Sequence, residues 1–177
     1  MEIGEARVTL TFELATEEDA AALAALHGAV AAELTRQFGQ GHWSSSATEA
    51  GVARSIRTSR VLIARDDEGV AGTLQLATKK PWAIDVTYFP PAKKALYLLS
   101  MAVRPSAQRS GVGTRMIAEA RLLTQAFPAD AIRLDAYDAP AGAGAFYAKC
   151  GFTEVGRATY RNVPLIYYNL ALTDRAG

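Results

Sequence analysis

The run Ala95-Leu96-Tyr97-Leu98-Leu99-Ser100-Met101-Ala102-Val103 constrains the fold of this chain more than any other segment. Only Ser100 interrupts its apolar character, and no alternation runs through it, as expected of a strand covered on both faces of a sheet. Arg104-Pro105 ends it, because proline cannot donate to a ladder. Then comes the turn Gln108-Arg109-Ser110-Gly111-Val112-Gly113. From 111 to 127, Val112, Met116, Ala120, Leu123 and Phe127 share one helical face. A buried strand, a glycine turn and an amphipathic helix form the centre of the chain.

The flanks read as a mixed α/β domain. Residues 7–14 alternate apolar and polar, which predicts an opening strand. Thr16-Glu17-Glu18-Asp19 has the form of a capping box, followed by a helix with the stripe Leu23, Leu26, Val30 and Leu34, ending near Phe38-Gly39. After a loop at 40–45, Ser46-Ala47-Thr48-Glu49 predicts a second helix to about Ser59. Strands at 61–65 and 70–76 flank the hairpin signal Asp66-Asp67-Glu68-Gly69. Residues 79–94, rich in proline and aromatics, read as a continued strand and then a long connection. Downstream come a strand at 132–137, a short helix at 141–150 closed by Gly151, and strands at 152–160 and 164–170.

Composition excludes several classes. With 177 residues the chain has the size of one domain, and 50% hydrophobic content rules out disorder. A net charge of +1, with no basic run longer than two residues, points away from nucleic acid and from a polybasic membrane patch. No segment has the length or apolarity of a signal peptide or membrane span. The single cysteine, Cys150, fits a reducing compartment, so a cytoplasmic location is expected. Two histidines and one cysteine, far apart, make no zinc site, and no metal is expected.

Glycines in the 108–113 turn let the backbone adopt positive φ and approach a ligand closely. The unpaired N–H groups of the following helix suit a pyrophosphate, with Arg109 and Arg115 flanking it. Two ligands fit that chemistry. Gly111-Val112-Gly113 also begins like a dinucleotide fingerprint, with Asp135 about twenty residues further on, which would make the chain a small oxidoreductase. Against this stand Met116 in place of a third glycine, the seven residues 104–110 before the first glycine, and the short chain.

Gln108, Gly111 and Gly113 satisfy the pattern (Gln/Arg)-x-x-Gly-x-(Gly/Ala), after a strand ending Met101-Ala102-Val103-Arg104-Pro105. Ala145-Phe146-Tyr147-Ala148-Lys149-Cys150-Gly151-Phe152 follows downstream. On these residues, and across essentially its whole length, the chain resembles the GNAT superfamily of acyl-CoA-dependent N-acyltransferases. The resemblance implies one domain over 1–177: a central, mostly antiparallel twisted sheet of about seven strands, flanked by about four helices and splayed at the central strand. It implies acetyl-CoA as donor and a primary amine on a small molecule as acceptor. A non-catalytic acyl-CoA-binding module is the second reading. In this family the final strands often serve as a dimer edge.

Carried over residue by residue, the resemblance implies that backbone groups of Met101, Ala102 and Val103 line the pantetheine arm. Gln108, Arg109, Ser110, Gly111, Val112, Gly113 and Thr114 would wrap the pyrophosphate. Tyr147 matches the usual general acid, and a phenol is protonated at neutral pH. Asp135 occupies a position where some members carry a carboxylate base. Many members carry an asparagine seven residues before the tyrosine; here that position is Pro140, with Asp138 or a backbone group as substitute. For the acceptor, His27, His42, Trp43, Trp82 and Asp85 are the candidates, Trp82 and Asp85 as an aromatic face and a carboxylate for a cation. His27 on its apolar stripe also reads as a core histidine.

Overall fold

The structure, a computed structural model, describes residues 9–172. Along the chain run β1 (Thr11–Leu14), α1 (Ala20–Phe38), α2 (Glu49–Thr58), β2 (Arg60–Asp66), β3 (Gly69–Ala77) and β4 (Ala95–Val103). Then follow α3 (Val112–Leu123), β5 (Ala131–Tyr137), α4 (Gly144–Lys149), β6 (Thr153–Tyr160) and β7 (Val163–Ala171). Among the described residues the seven strands form one sheet, ordered β1-β2-β3-β4-β5-β7-β6. Every neighbouring pair is antiparallel except β4 and β5. This is the mixed architecture expected from the sequence, and it is not the parallel doubly wound sheet of a dinucleotide enzyme.

The two sheet faces are covered by different helix pairs, because alternation sends successive side chains of a strand to opposite sides. Leu62 and Ala64 of β2 join Val112, Met116, Ile117 and Ala120 of α3 in the largest core cluster. Val61 and Ile63, from the same strand, pack instead against Ala20 and Leu23 of α1 and Val52 of α2. A third cluster, Ile84, Phe89, Tyr97 and Tyr167, lies under the connection 78–94. That connection is pinned to the sheet: Tyr167 donates to the carbonyl of Ala83, and Arg133 to that of Pro90 at 2.9 Å.

Some boundaries differ from the sequence reading, each for a local reason. The first strand is described only over Thr11–Leu14, and 7–8 lie outside the described residues. At the first capping box the Asp19 carboxylate accepts from the Thr16 N–H at 2.8 Å, as expected, and α1 starts after one 3-10 turn. The second helix is capped by Thr48, which accepts from the Gly51 N–H at 3.1 Å, so Ser46 stays in the loop. β3 stops at Ala77 rather than running into 79–94, where Pro81 removes a ladder donor. α3 tightens into a 3-10 turn at Thr124–Ala126, and α4 is one short segment, Gly144–Lys149.

What positions the site is the behaviour of β4. Its parallel pairing with β5 covers only Ala95↔Ala131, Leu96↔Ile132 and Tyr97↔Arg133, although both strands continue well beyond. On its other side β4 carries a bulge: between Thr73↔Ala102 and Gln75↔Leu99 it advances one residue more than β3. Ser100 takes up that residue at φ 51°, a conformation rare for a side-chain-bearing residue. The bulge also shifts parity, so Met101 and Val103 face the α3 core on the side of Leu98. Strands 4 and 5 therefore open like a V.

Candidate active site

At the open end of the V, a 3-10 turn, Pro105–Ala107, leads into the 108–111 turn. Arg104 anchors its base, donating to Asp66 at 2.6 Å and to the carbonyl of Val70 at 3.1 Å, and this ties the turn to the β2–β3 hairpin. Arg109 and Gly111 both have positive φ, 63° and 85°. The side chains of the turn bond inward. Gln108 donates to the Val103 carbonyl at 3.0 Å, Ser110 donates to the Ala107 carbonyl, and Thr114 bonds Cys150. The first helical bond of α3 runs from Arg115 N–H to Gly111 at 3.1 Å, so the amides of Val112, Gly113 and Thr114 have no intrahelical acceptor. Three outward N–H groups at the positive end of a helix dipole make an anion cradle built of backbone.

The two glycines have separate reasons to be there. Nothing lies within 4 Å of where a Cβ on Gly111 would sit, and its left-handed φ is the constraint. A Cβ on Gly113 would come within 3.0 Å of the Phe146 ring. Gly113 lets α3 approach α4; only Gly111 serves the shape of the turn itself.

Backbone direction along β4 follows from its pairing. Arg104 N–H donates to Ala71 across β3, so Ala102 shares that side, while Met101 and Val103 direct their N–H groups into the V. The Val103 carbonyl is already engaged by Gln108, which narrows the expected backbone contacts to the Met101 groups and the Val103 N–H.

Between α1 and the splayed strands lies a cleft of about 400 Å³. It gathers Asp135 and Tyr137 from β5, Tyr147 from α4, His27 from α1, Trp43 from the loop after α1, and the Leu98–Ala102 stretch of β4. The loop is held so that Trp43 faces in: Thr35 donates to Ser44 at 2.7 Å, and the Trp43 Nε1 donates to the Gly39 carbonyl at 2.9 Å. Tyr147 is only 7% exposed and is wedged among Phe146, Phe152 and Tyr168. Its hydroxyl has no hydrogen-bond partner among the described residues.

Ionisation in the cleft is governed by burial. Desolvation pushes the Asp135 carboxyl above its ordinary value, with no cation nearby to oppose it. Burial, and then the Asp135 charge, push the Tyr147 phenol up, and Tyr137 is raised by the same two causes in the same order. Burial lowers His27, so its imidazole is held neutral. A carboxylate, a protonated phenol and a neutral imidazole thus face one space.

The other sequence candidates lie elsewhere. His42 is exposed, and only its carbonyl takes part, accepting from Tyr137 at 3.2 Å. Trp82 is 82% exposed, outside the cleft. Asp85 caps a 3-10 turn, accepting from the Thr87 N–H at 3.0 Å. Asp138, offered as a substitute for the missing asparagine, pairs with Arg157 at 3.3 Å, and the cleft wall near Pro140 is made by Ala141 and Ala143. Sequence reading missed Tyr137, Ser45 and the bulged Ser100 as lining residues. Tyr137 was within reach, since it lies two residues from Asp135 on the same strand face.

Residues 57–154 match the family profile of the acetyltransferase (GNAT) domain, more than half of the chain. The chain belongs to the GNAT acetyltransferase family, whose members take the acetyl group from acetyl-CoA. No curated protein matches it. Solved structures share the fold. A GNAT-family acetyltransferase from Listeria monocytogenes is 18% identical, covering 97% of this chain and 99% of its own, with a TM-score of 0.71. The ribosomal-protein-alanine N-acetyltransferase of Brucella melitensis is 17% identical, with coverage of 92% and 99% and a TM-score of 0.68. The Salmonella typhimurium protein yncA, solved with its cofactor acetyl-CoA, is 16% identical, with coverage of 95% and 96% and a TM-score of 0.66. Among the described residues no helix is long and apolar enough to cross a membrane.

Proposed function

We propose that the protein moves an acetyl group from acetyl-CoA directly to a primary amine held in the cleft beside Asp135. The observation that carries this reading is the convergence on one 400 Å³ cleft of Asp135, the partnerless hydroxyl of Tyr147 and the Met101 backbone, next to the amide cradle at Gly111. The amides of Val112, Gly113 and Thr114 would hold the donor's pyrophosphate, with Arg109 beside them. The N–H of Met101 or Val103, free of the β3 ladder, would donate to the thioester oxygen as negative charge develops there.

Asp135 would take a proton from the incoming ammonium, through a water. Its raised pKa makes it a stronger base than an ordinary carboxylate. The neutral amine nitrogen attacks the thioester carbon, the C–S bond breaks, and Tyr147 gives its proton to the departing sulfur. The second proton lost by the nitrogen restores the phenol through the cleft. The two residues are coupled usefully. The Asp135 charge helps hold Tyr147 protonated, so a proton arriving on Asp135 makes the phenol more acidic at the moment it must donate.

A thermal-shift assay with acetyl-CoA, together with amine-dependent release of free CoA thiol, tests the reading. Stabilisation by acetyl-CoA and thiol release are both expected. Stabilisation without release for any amine would leave only a binding module; no stabilisation at all would remove the donor site.

A further inference from the structure

The donor machinery leaves the acceptor open, but the cleft walls are selective. One side is apolar, made by Val30, Ala31 and Leu34 of α1. Trp43 and Tyr137 close it with an edge-on ring pair, centroids 6.2 Å apart at 70°. Asp135 is the lone acidic side chain in the lining, and among the described residues no Lys or Arg lines the cleft. The Asp135 carboxylate also has no hydrogen bond or ion pair with any described residue. This half-buried carboxylate is left to water, and an ammonium entering the cleft would take the place of that water as its donor.

The same walls reject other amines. A carboxylate or phosphate on the acceptor would lie near Asp135 with no cation to offset either charge, which is how sites exclude wrong partners. A second ammonium would meet the hydroxyls of Ser45, Ser46 and Ser100 and the His27 imidazole, with no second acid to offset its charge. The volume, about 400 Å³ and shared with the thioester end of the donor, sits near the lower end for small-molecule sites. We infer that the acceptor is a monoamine: one ammonium on a compact, apolar, aryl-sized body that carries no anionic group. This rests on the acetyltransferase reading of the cleft.

Three amines test it with the intact protein and acetyl-CoA: 2-phenylethylamine, phenylalanine (the same skeleton with a carboxylate) and spermidine. CoA release and the acetyl mass gain of each amine give kcat/KM. The expected result is a preference for 2-phenylethylamine of about tenfold or more over each of the others. In Asp135→Asn the ratio of 2-phenylethylamine to phenylalanine should fall about tenfold, whatever happens to the common rate. A merely structural Asp135 would lower both substrates alike and leave the ratio unmoved, which would overturn the assignment. Phenylalanine or spermidine equal to or better than 2-phenylethylamine would overturn it too. So would acetylation of none of the three by a protein that acetyl-CoA still stabilises. Failure of acetyl-CoA to stabilise the protein would instead bring down the donor reading on which the inference stands.

Discussion

Around Gly111 the protein works with its backbone; across the cleft it works with side chains drawn from distant segments. The anion cradle comes from one stretch, 108–114, whose side chains fold inward on Val103, Ala107 and Cys150 so that amides face out. The cleft, the acceptor side in the function proposed, takes His27 from α1, Trp43 from a loop, Asp135 from β5 and Tyr147 from α4. A backbone cradle tolerates almost any side chain that permits its dihedrals. A side-chain cleft changes with every substitution. On the proposed reading, the backbone half would serve the donor and the side-chain half the acceptor.

Substitution of Tyr147 should separate the halves most sharply. Tyr147→Phe keeps the ring that packs on Phe146, Phe152 and Tyr168 and removes only the proton. The rate constant kcat is expected to fall by about 10²–10⁴, the usual worth of general acid catalysis, with stabilisation by acetyl-CoA intact. If acetyl-CoA binding fell in parallel with kcat, Tyr147 would belong to the donor half instead.

The two glycines test the backbone half from within. Gly113→Val places branches against the Phe146 ring, already 3.0 Å from a bare Cβ, and should destabilise the fold by about 1–3 kcal/mol. Gly111→Ala meets no atom but must hold φ at 85°, at about 1 kcal/mol. Its larger effect should be a raised KM for acetyl-CoA. Chemical denaturation and donor titration of both variants distinguish packing from turn shape. Equal behaviour of the two would mean that the glycines share one role.

Much of the donor half was legible in the sequence because it is contiguous. The apolar run Ala95–Val103, Pro105 and the glycine spacing predict strand, turn and helix in order, and the structure holds them so. The geometry was legible only in part. The family resemblance implied a splay at the central strand, but nothing in the residue types announces the bulge at Ser100 or the end of the β4–β5 pairing at Tyr97, the two features that open the cleft. The acceptor half was less legible, since local pattern does not report which loop folds inward. Trp43 and Trp82 look alike as loop aromatics. One is tied to Gly39 and faces the cleft; the other follows Pro81 into solvent.

Asp135 should show a cost that the donor half lacks. Burial raises its folded pKa above the unfolded value, so the carboxylate opposes folding once it ionises. That penalty is absent below the ordinary value of 3.8, grows as pH rises and is complete above the folded pKa. Asp135→Asn is therefore expected to be slower yet more stable at neutral pH, by about 1 kcal/mol, or roughly 2–4 °C in Tm for a chain of this size. The gain should vanish in acid. A variant no more stable at neutral pH would show that the carboxylate is satisfied in solution and is not held for a ligand.

His27 should give the smallest effect, and one of opposite sign with pH. It stands on the apolar stripe of α1, where a core histidine was the plain reading. It lines both the cleft and a neighbouring cavity of about 30 Å³ beside Thr73, Gln75 and Ser100. Burial lowers its folded pKa, so below its ordinary value of 6.5 the unfolded chain binds the proton more readily. Stability tied to His27 is then present above that value and is lost as pH falls. Carboxylates elsewhere also weaken the fold in acid, so the informative quantity is a difference. His27→Gln should lose less Tm than the natural protein between about pH 7 and pH 5, by a degree or two. Parallel Tm curves would place the imidazole in contact with water. In that case the apolar wall of the acceptor half begins at Val30, one helical turn further along α1.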